Sequence, residues 1–546
     1  MRRPSSLIYL CSTMRWKKVV SPVRTYSSGL VRNSNGDPFS STTSPWKKYE
    51  NHEFSRISSY QHYAYARFFS SAPLPSSSTT NNENESTNRL GTVEIISVEN
   101  IKPASPTPHH LRTYEVSMLD QFIGNMYLSF VYFFPNKDEN GSNLDLISKK
   151  RQLLKQTLSE TLTRFYPLAG KLDGELRIDC NDDGAYYVEA KVNDRLSDFL
   201  QNPDNKSIHK LLPFVPNSME LLLKTSLVMI QTTIFGCGGI SIGLHTSHKI
   251  IDGYSHVTFF NAWANAARGS SSEDDMIRPS FIAPSIFPPN PNPTQDSTLL
   301  GQILDAYPQN AGKVVTRRFI FPASSLKTLK EKAAAPSRVV GVSGLIWKCI
   351  MAASRARTSA EGGEPNPSIL IFPVNIRART SPHFPPYSIG NNLMLTFTRF
   401  KNDDDAVGLN SIVELVKNAT SKVNSEFTEK FKGEEGYHKM VENYKEVKQL
   451  CSGKNVEQVS MTSLCNSGIY DIDFGWGKPT WISVADAGAD IPFFKSMVYL
   501  MDTKSKDGIE AWVTLLEQDM ALFERNAELL AFASLSHSPP LQTQVD

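Results

Sequence analysis

Between residues 270 and 314 the chain becomes rich in Ser and Pro, and Pro288-Pro289-Asn290-Pro291-Asn292-Pro293 packs four prolines into six positions. Each proline fixes φ and removes a backbone donor, so neither a helix nor an inner strand can run through this stretch. A chain interrupted there must build one core before the break and another after it. Its 546 residues are too many for one ordinary core and comfortable for two. The pattern predicts an N-terminal domain over 92–269, a crossover loop over 270–314 and a C-terminal domain over 315–535, followed by a short tail, 536–546.

Both halves mix helical and strand periods, which predicts an α/β fold. In the first, Val93 to Val98 alternates like a strand, and Leu154, Leu158, Leu162 and Phe165 recur at helical spacing. Strands are expected at 174–179, 185–190, 226–235 and 239–245. A helix from Ser255 to Arg268 follows, with Gly269 as its stop. In the second half the pattern gives a strand at 314–321, a helix from Ser324, another around 341–355, a strand at 369–374 and a long helix over 410–432. It closes with a hairpin whose arms are 497–502 and 509–515.

The net charge of +2 averages two unlike regions. Residues 1–80 carry 11 Lys and Arg against 3 Asp and Glu, leaving 46 basic and 52 acidic residues in the remainder. An acidic body without a basic stripe lacks the electrostatic footprint of a nucleic-acid binder. The leader, 1–80, is Arg- and Ser-rich and acid-poor, the composition of a mitochondrial or plastid transit peptide, the alternative being a disordered extension with no targeting role; 81–91 then reads as a linker. Arg67 followed by Phe68, Phe69 and Ser70 resembles a mitochondrial processing site. No run approaches 18 uninterrupted apolar residues, so no membrane span is expected. Six cysteines without a C-x-x-C pair are expected to be free thiols.

The densest polar cluster is His245-Thr246-Ser247-His248-Lys249-Ile250-Ile251-Asp252-Gly253, where an apolar strand runs out before a helix. Three chemistries compete for it. His245, His248 and Asp252 could form a two-His-one-carboxylate metal site. Gly239-Ile240-Ser241-Ile242-Gly243 spells G-x-S-x-G, which would make Ser241 a hydrolase nucleophile with His248 as its base. That elbow needs a strand, a sharp turn and a helix, whereas Ile240 and Ile242 alternate straight on into Leu244. In the third reading His248 is a lone general base, suited by its near-neutral pKa, and Asp252 holds the loop.

Two motifs carry a resemblance that favours the third. His248 to Gly253 has the form H-x-x-x-D-G, and Asp473-Phe474-Gly475-Trp476-Gly477 stands about 220 residues later. In that order they resemble the motif pair of plant BAHD acyltransferases, as do Tyr166-Pro167-Leu168-Ala169-Gly170, Ser117-Met118-Leu119-Asp120 and the Met501-Asp502 hairpin. The likeness covers 92 to about 535 and none of the leader. It implies two chloramphenicol-acetyltransferase-like domains, each a mixed β-sheet with helices, and a channel at their interface. CoA would enter from one side and the acceptor from the other.

By the same resemblance His248 deprotonates the acceptor hydroxyl, which attacks the thioester without an acyl-enzyme. Asp252 pairs with Arg377 beside Gly253, while Asp473, Gly475 and Gly477 are structural. Ser337, Asn391, Thr462 and Ser463 would line the CoA channel. Acyl-CoA is a co-substrate; no bound cofactor and no metal are expected, and the partners are acyl-CoA and a small-molecule alcohol on a monomer. Relatives usually read T-S-W where this chain has Thr462-Ser463-Leu464, so Leu464 would leave room at the acyl end of the channel. The body resembles most the vinorine-synthase-like branch, which esterifies alkaloid alcohols. With the leader, this points to a tigloyl group passed to the 3β-hydroxyl of pseudotropine in mitochondria. The alternatives are a cytosolic, acetyl-CoA-dependent alkaloid or terpenoid O-acetyltransferase, a carboxylesterase using Ser241, and a non-catalytic binding protein.

Overall fold

The computed structural model describes residues 90–136, 144–214, 225–269, 276–292, 312–401, 408–451, 456–485 and 496–536. The leader, most of the 81–91 linker and nearly all of the tail lie outside these residues, as does Cys11. The strands are β1 (Glu94–Ile101), β2 (Thr113–Glu115), β3 (Tyr127–Phe134), β4 (Lys171–Asp173), β5 (Arg177–Asp179), β6 (Ala185–Val192), β7 (Val228–Phe235) and β8 (Ile240–Ser247) in the first half. The second half holds β9 (Val314–Phe321), β10 (Ser368–Asn375), β11 (Leu393–Phe400), β12 (Glu457–Ser463), β13 (Trp481–Val484), β14 (Met497–Asp502), β15 (Ile509–Leu516) and β16 (Ser534–Ser536). Helices used below are α1 (Met118–Gln121), α2 (Leu144–Arg164), α3 (Gly253–Ala267), α4 (Arg338–Ala360) and α5 (Gly436–Cys451).

Two mixed sheets result, in the orders β1-β6-β7-β8-β3-β13 and β11-β10-β12-β14-β15-β9-β16. Parallel pairs join β6 to β7, β10 to β12 and β12 to β14, and the other neighbours are antiparallel. This is the α/β architecture expected. All eight residues of β8 are buried, as they must be in an inner strand covered on both faces. Helix α3 packs on α2, and Trp263 Nε1 donates to the Leu154 carbonyl at 3.0 Å. Helix α4 is apolar and long enough to cross a membrane by length and composition, but most of it is buried as a core helix of the second half.

The pattern and the structure differ where a local device overrides periodicity. The helix expected over 410–432 is two, Leu409–Lys422 and Ser425–Glu429, because Asn424 leaves helical geometry to cap the second, accepting from the Phe427 N–H at 2.9 Å. The strand expected over 174–179 shortens to β5, since Gly174 takes a φ of +68° in the turn from β4.

The two halves also exchange pieces. Strand β13 leaves the second half to pair with β3 in the first sheet, and Ile469, Tyr470, Ile472, Phe474 and Trp481 join the first core. In return Met118, Leu119 and Phe122 of α1 and its exit lie in the second core, where Phe122 stacks on Tyr437 and meets Tyr444 edge-on. The boundaries 92–269 and 315–535 therefore do not enclose two separate cores. The segment carrying D-F-G-W-G belongs by packing to the first half.

Candidate active site

His248 is the first residue past β8. Its N–H donates to the Met126 carbonyl at 2.7 Å, extending the β8–β3 pairing by one bond, and Ile250 and Ile251 anchor the loop from inside the core. Asp252 then starts α3 as its N-cap, accepting from the Ser255 N–H at 2.8 Å. A rigid strand end and a capped helix start thus fix the histidine between them.

The rest of the setting comes from the second half. Arg377 reaches Asp252 with two parallel bonds, at 2.7 and 3.0 Å, and spends its other donors on Ser255 Oγ and the carbonyls of Ser388 and Gly390. Its guanidinium also lies 4.6 Å from the centre of the Tyr254 ring. Both members are buried, so the pair is bidentate and shielded from water. Asp252 is committed to Arg377 and to the start of α3, and locks one half to the other.

Asn391 approaches His248 from behind. Its Nδ2 donates to the His248 carbonyl at 2.7 Å and to Asp120 Oδ1 at 2.8 Å, and its Oδ1 lies 2.9 Å from His248 Nδ1. Among the described residues nothing bonds Nε2, which is left for a substrate. Burial lowers the pKa of the imidazole from its usual 6.5, while its own backbone, Asp252, Asn391 and Asp120 pull it back upward. Burial thus favours the neutral ring, the form that is able to accept a proton.

The competing chemistries do not match these contacts. His245 has its ring nitrogens engaged by Ser129 Oγ at 2.9 Å and the Pro213 carbonyl at 3.1 Å, and burial pushes its pKa down to about 4. With Asp252 held by Arg377, the three proposed metal ligands face different partners. Ser241 is the second residue of β8, opposite Phe133 and Thr233, fully buried, with no partner for its hydroxyl, and the strand runs straight on past it. Seven residues at about 3.3 Å each put it on the order of 20 Å from His248.

The four residues expected along the CoA channel divide. Asn391 is fully buried and both ends of its amide are committed, so it stands behind the base and not in a channel wall. The other three gather at one end of β12 and β14. Ser337 is exposed and caps α4, accepting from the Val340 N–H. Its neighbour Arg338 pairs with Asp502 and bonds Asn466 Oδ1 at 3.0 Å. Thr462 is half-buried, and exposed Ser463 ends β12, its Oγ accepting from Cys465 N. Leu464 follows, hydrogen-bonded to the Leu500 carbonyl and seated against Gly253 at the start of α3.

Asp473 is remote from His248 in role. Its Oδ1 accepts from the N–H groups of Gly475 and Gly477 at 2.8 and 3.0 Å, and both glycines hold positive φ, +99° and +117°. The tight loop presents Phe474 edge-on to Trp263, Phe260 and Phe134. The site residue that sequence reasoning missed is Asp120. Its signal was the S-x-x-D spacing of Ser117 and Asp120, which folds as a reciprocal capping box.

Known proteins bear on this geometry. Residues 91–530 match the Transferase family. The chain is 36% identical over 463 residues to a limonoid 7-O-acetyltransferase of Citrus sinensis, covering 82% of this chain and 99% of that one. It is 32% identical over 441 residues to stemmadenine O-acetyltransferase of Catharanthus roseus, covering 79% and 96%. The crystal structure of vinorine synthase superposes with a TM-score of 0.66 at 31% identity, covering 82% of this chain and all of that one. Family match, full-length relatives and a histidine set between two halves agree: the chain belongs to the Transferase family, as an acyl-CoA-dependent acyltransferase of the BAHD type.

Proposed function

We infer that the chain esterifies a secondary alcohol on an alkaloid or terpenoid skeleton, with His248 as general base. The observation that carries this is the bond from His248 Nδ1 to Asn391, which leaves Nε2 free to accept the hydroxyl proton. The alkoxide oxygen attacks the thioester carbonyl of acyl-CoA. The tetrahedral adduct collapses with loss of CoA thiolate, which takes the proton back from the imidazolium. Such base catalysis contributes about 10²–10⁴-fold, the remainder coming from positioning and oxyanion stabilisation.

For the donor we propose a tigloyl group, and for the acceptor the 3β-hydroxyl of pseudotropine. Supporting the larger donor is Leu464, a smaller side chain than the Trp that the BAHD motif pattern leads one to expect there, just past the strand end that adjoins the start of α3. A second reading, acetyl transfer, is supported by the names of the relatives, which are acetyltransferases of limonoids and of stemmadenine. A panel of tigloyl-CoA and acetyl-CoA against pseudotropine and limonoid alcohols separates them. Turnover only with acetyl-CoA would replace the tigloyl assignment. His248→Ala should abolish CoA release, and an acyl-enzyme trapped by hydroxylamine would overturn direct transfer.

The composition of residues 1–80 supports a mitochondrial address, and the chain is proposed to act as a monomer. Residues 1–80 fused to a fluorescent reporter should reach mitochondria; diffuse fluorescence would return the enzyme to the cytosol.

A further inference from the structure

The amide of Asn391 has one permitted orientation. Its nitrogen lies between a backbone carbonyl, which can only accept, and the Asp120 carboxylate. Turning the amide over would set oxygen against oxygen at both contacts. With nitrogen fixed there, Oδ1 must face His248 Nδ1, and an acceptor facing Nδ1 requires the ring proton to be on Nδ1. The lone pair is then on Nε2.

Asp120 is itself over-determined. Oδ1 accepts from the Asn391 N–H and Nδ2 at 2.7 and 2.8 Å, and Oδ2 accepts from the Ser117 N–H and Oγ at 2.9 and 2.6 Å. Four donors meet two oxygens, an arrangement that favours the carboxylate against complete burial, which is the largest influence on the group and raises its pKa. Its residue lies in α1, which is held from three sides. Met118 N donates to the Phe287 carbonyl, Gln121 exchanges two bonds with the Asn290 backbone, and Phe122 is clamped by the α5 aromatics. Lys249, next to the base, donates to the Gln121 and Ile123 carbonyls at the exit of α1.

We propose that Asp120 is a positioning residue that acts through Asn391 to hold His248 in its Nδ1-protonated tautomer, so that the proton-accepting nitrogen is set only when the two halves are docked. Sequence on both sides of the crossover is needed: Asp120 and His248 come from the first half and Asn391 from the second. The proposal rests on His248 being the base.

The charged groups around the pair are few. Asp252, already paired with Arg377, and Asp120 act on His248, while Tyr114 and Lys249 feel Asp120 and Glu175 acts on Lys249. Removing the Asp120 charge takes away one influence that raises the His248 pKa. The acid limb of the rate profile should therefore move to lower pH in Asp120→Asn, the opposite of what simple loosening and hydration of the site would give.

The test is a kinetic cycle on the full chain with acyl-CoA and an accepted alcohol: Asp120→Asn, Asn391→Ala and the double variant. Each single change should lower kcat by about 10²-fold or more with little change in KM for acyl-CoA. The double variant should be no slower than the slower single. Histidine ¹⁵N spectra should show Nδ1–H at His248 in the wild type and lose it in Asp120→Asn. Losses that multiply in the double variant, or an unchanged tautomer in Asp120→Asn, would overturn the proposal. If Asp120→Asn does not fold, Ser117→Ala replaces it, and its effect on kcat must vanish in the Asn391→Ala background. Failure of the base assignment looks different: His248→Ala would keep its turnover.

Discussion

Gly253 and Leu464 share a space that one methyl group would contest. A Cβ on Gly253 would lie 2.3 Å from Leu464 Cδ2, well inside contact distance. The glycine of the H-x-x-x-D-G motif is thus explained by a neighbour about 200 residues away, at the end of β12. The same contact places Leu464 beside the helix start that carries Asp252, where we propose that it borders the acyl end of the donor.

Replacing Leu464 by Trp should lower kcat/KM for tigloyl-CoA at least about 10-fold more than for acetyl-CoA, because each methylene accommodated or excluded is worth about 1–3 kcal/mol. Leu464→Met should change little. Parallel kinetics with the two donors decide it, and equal losses would make Leu464 a packing residue only. Gly253→Ala should instead depress both donors and cost about 1–3 kcal/mol of stability through overpacking.

Ser241→Ala should retain full activity and raise stability by about 1 kcal/mol, read from urea unfolding. The hydroxyl is buried without a partner, so its removal relieves a desolvation cost and breaks no bond. Loss of activity would revive the hydrolase reading of G-x-S-x-G.

Asp252→Ala and Arg377→Ala should each cost about 3–5 kcal/mol, since each strands a buried charge. Their double-mutant cycle should show strong coupling. Arg377→Ala should be the worse of the two, because Ser388, Gly390 and Ser255 lose a donor as well. Additive losses would mean the two do not act as a pair.

Acid should destabilise the fold well above the carboxylate range. His245 and His256 are buried neutral, and burial lowers their pKa values to about 4 and about 3, from 6.5. Below pH 6.5 the unfolded chain takes up protons that the folded chain does not, so stability falls as pH falls, by about 1.4 kcal/mol per unit for each histidine. His256 is held by Tyr132 and Thr246 on its two nitrogens at 2.8 and 2.9 Å. Measured between pH 6.5 and 4.5, the slope of stability against pH should lose one histidine's share in His256→Gln, even though the variant is less stable throughout.

Periodic amphipathic segments and the two motifs were legible in the sequence, and the structure finds β9, α3 and the β14–β15 hairpin where their patterns put them. Strand β3 was not legible. Its run Tyr-Leu-Ser-Phe-Val-Tyr-Phe-Phe is buried on both faces and so lacks alternation. Strand β13 was hidden for another reason: at four residues it is too short to show a period, and only its distant partner β3 defines it. The histidine proposed as base was legible because a motif named it. The setting of that base was not, since Asp120, Asn391 and His248 are brought together by contacts spanning up to 271 positions. No local pattern encodes such a contact.

The exchange of α1 and β13 constrains how such enzymes can recombine. A chimera cut in the crossover would join one parent's α1 to another's α5 aromatics, and one parent's β3 to a foreign β13. Without a fitting partner β3 would present a bare strand edge, open to pairing with other chains. Productive swaps among relatives should therefore move residues 469–485 together with the first half and 117–122 together with the second, leaving two grafts that do not follow the linear order of the gene.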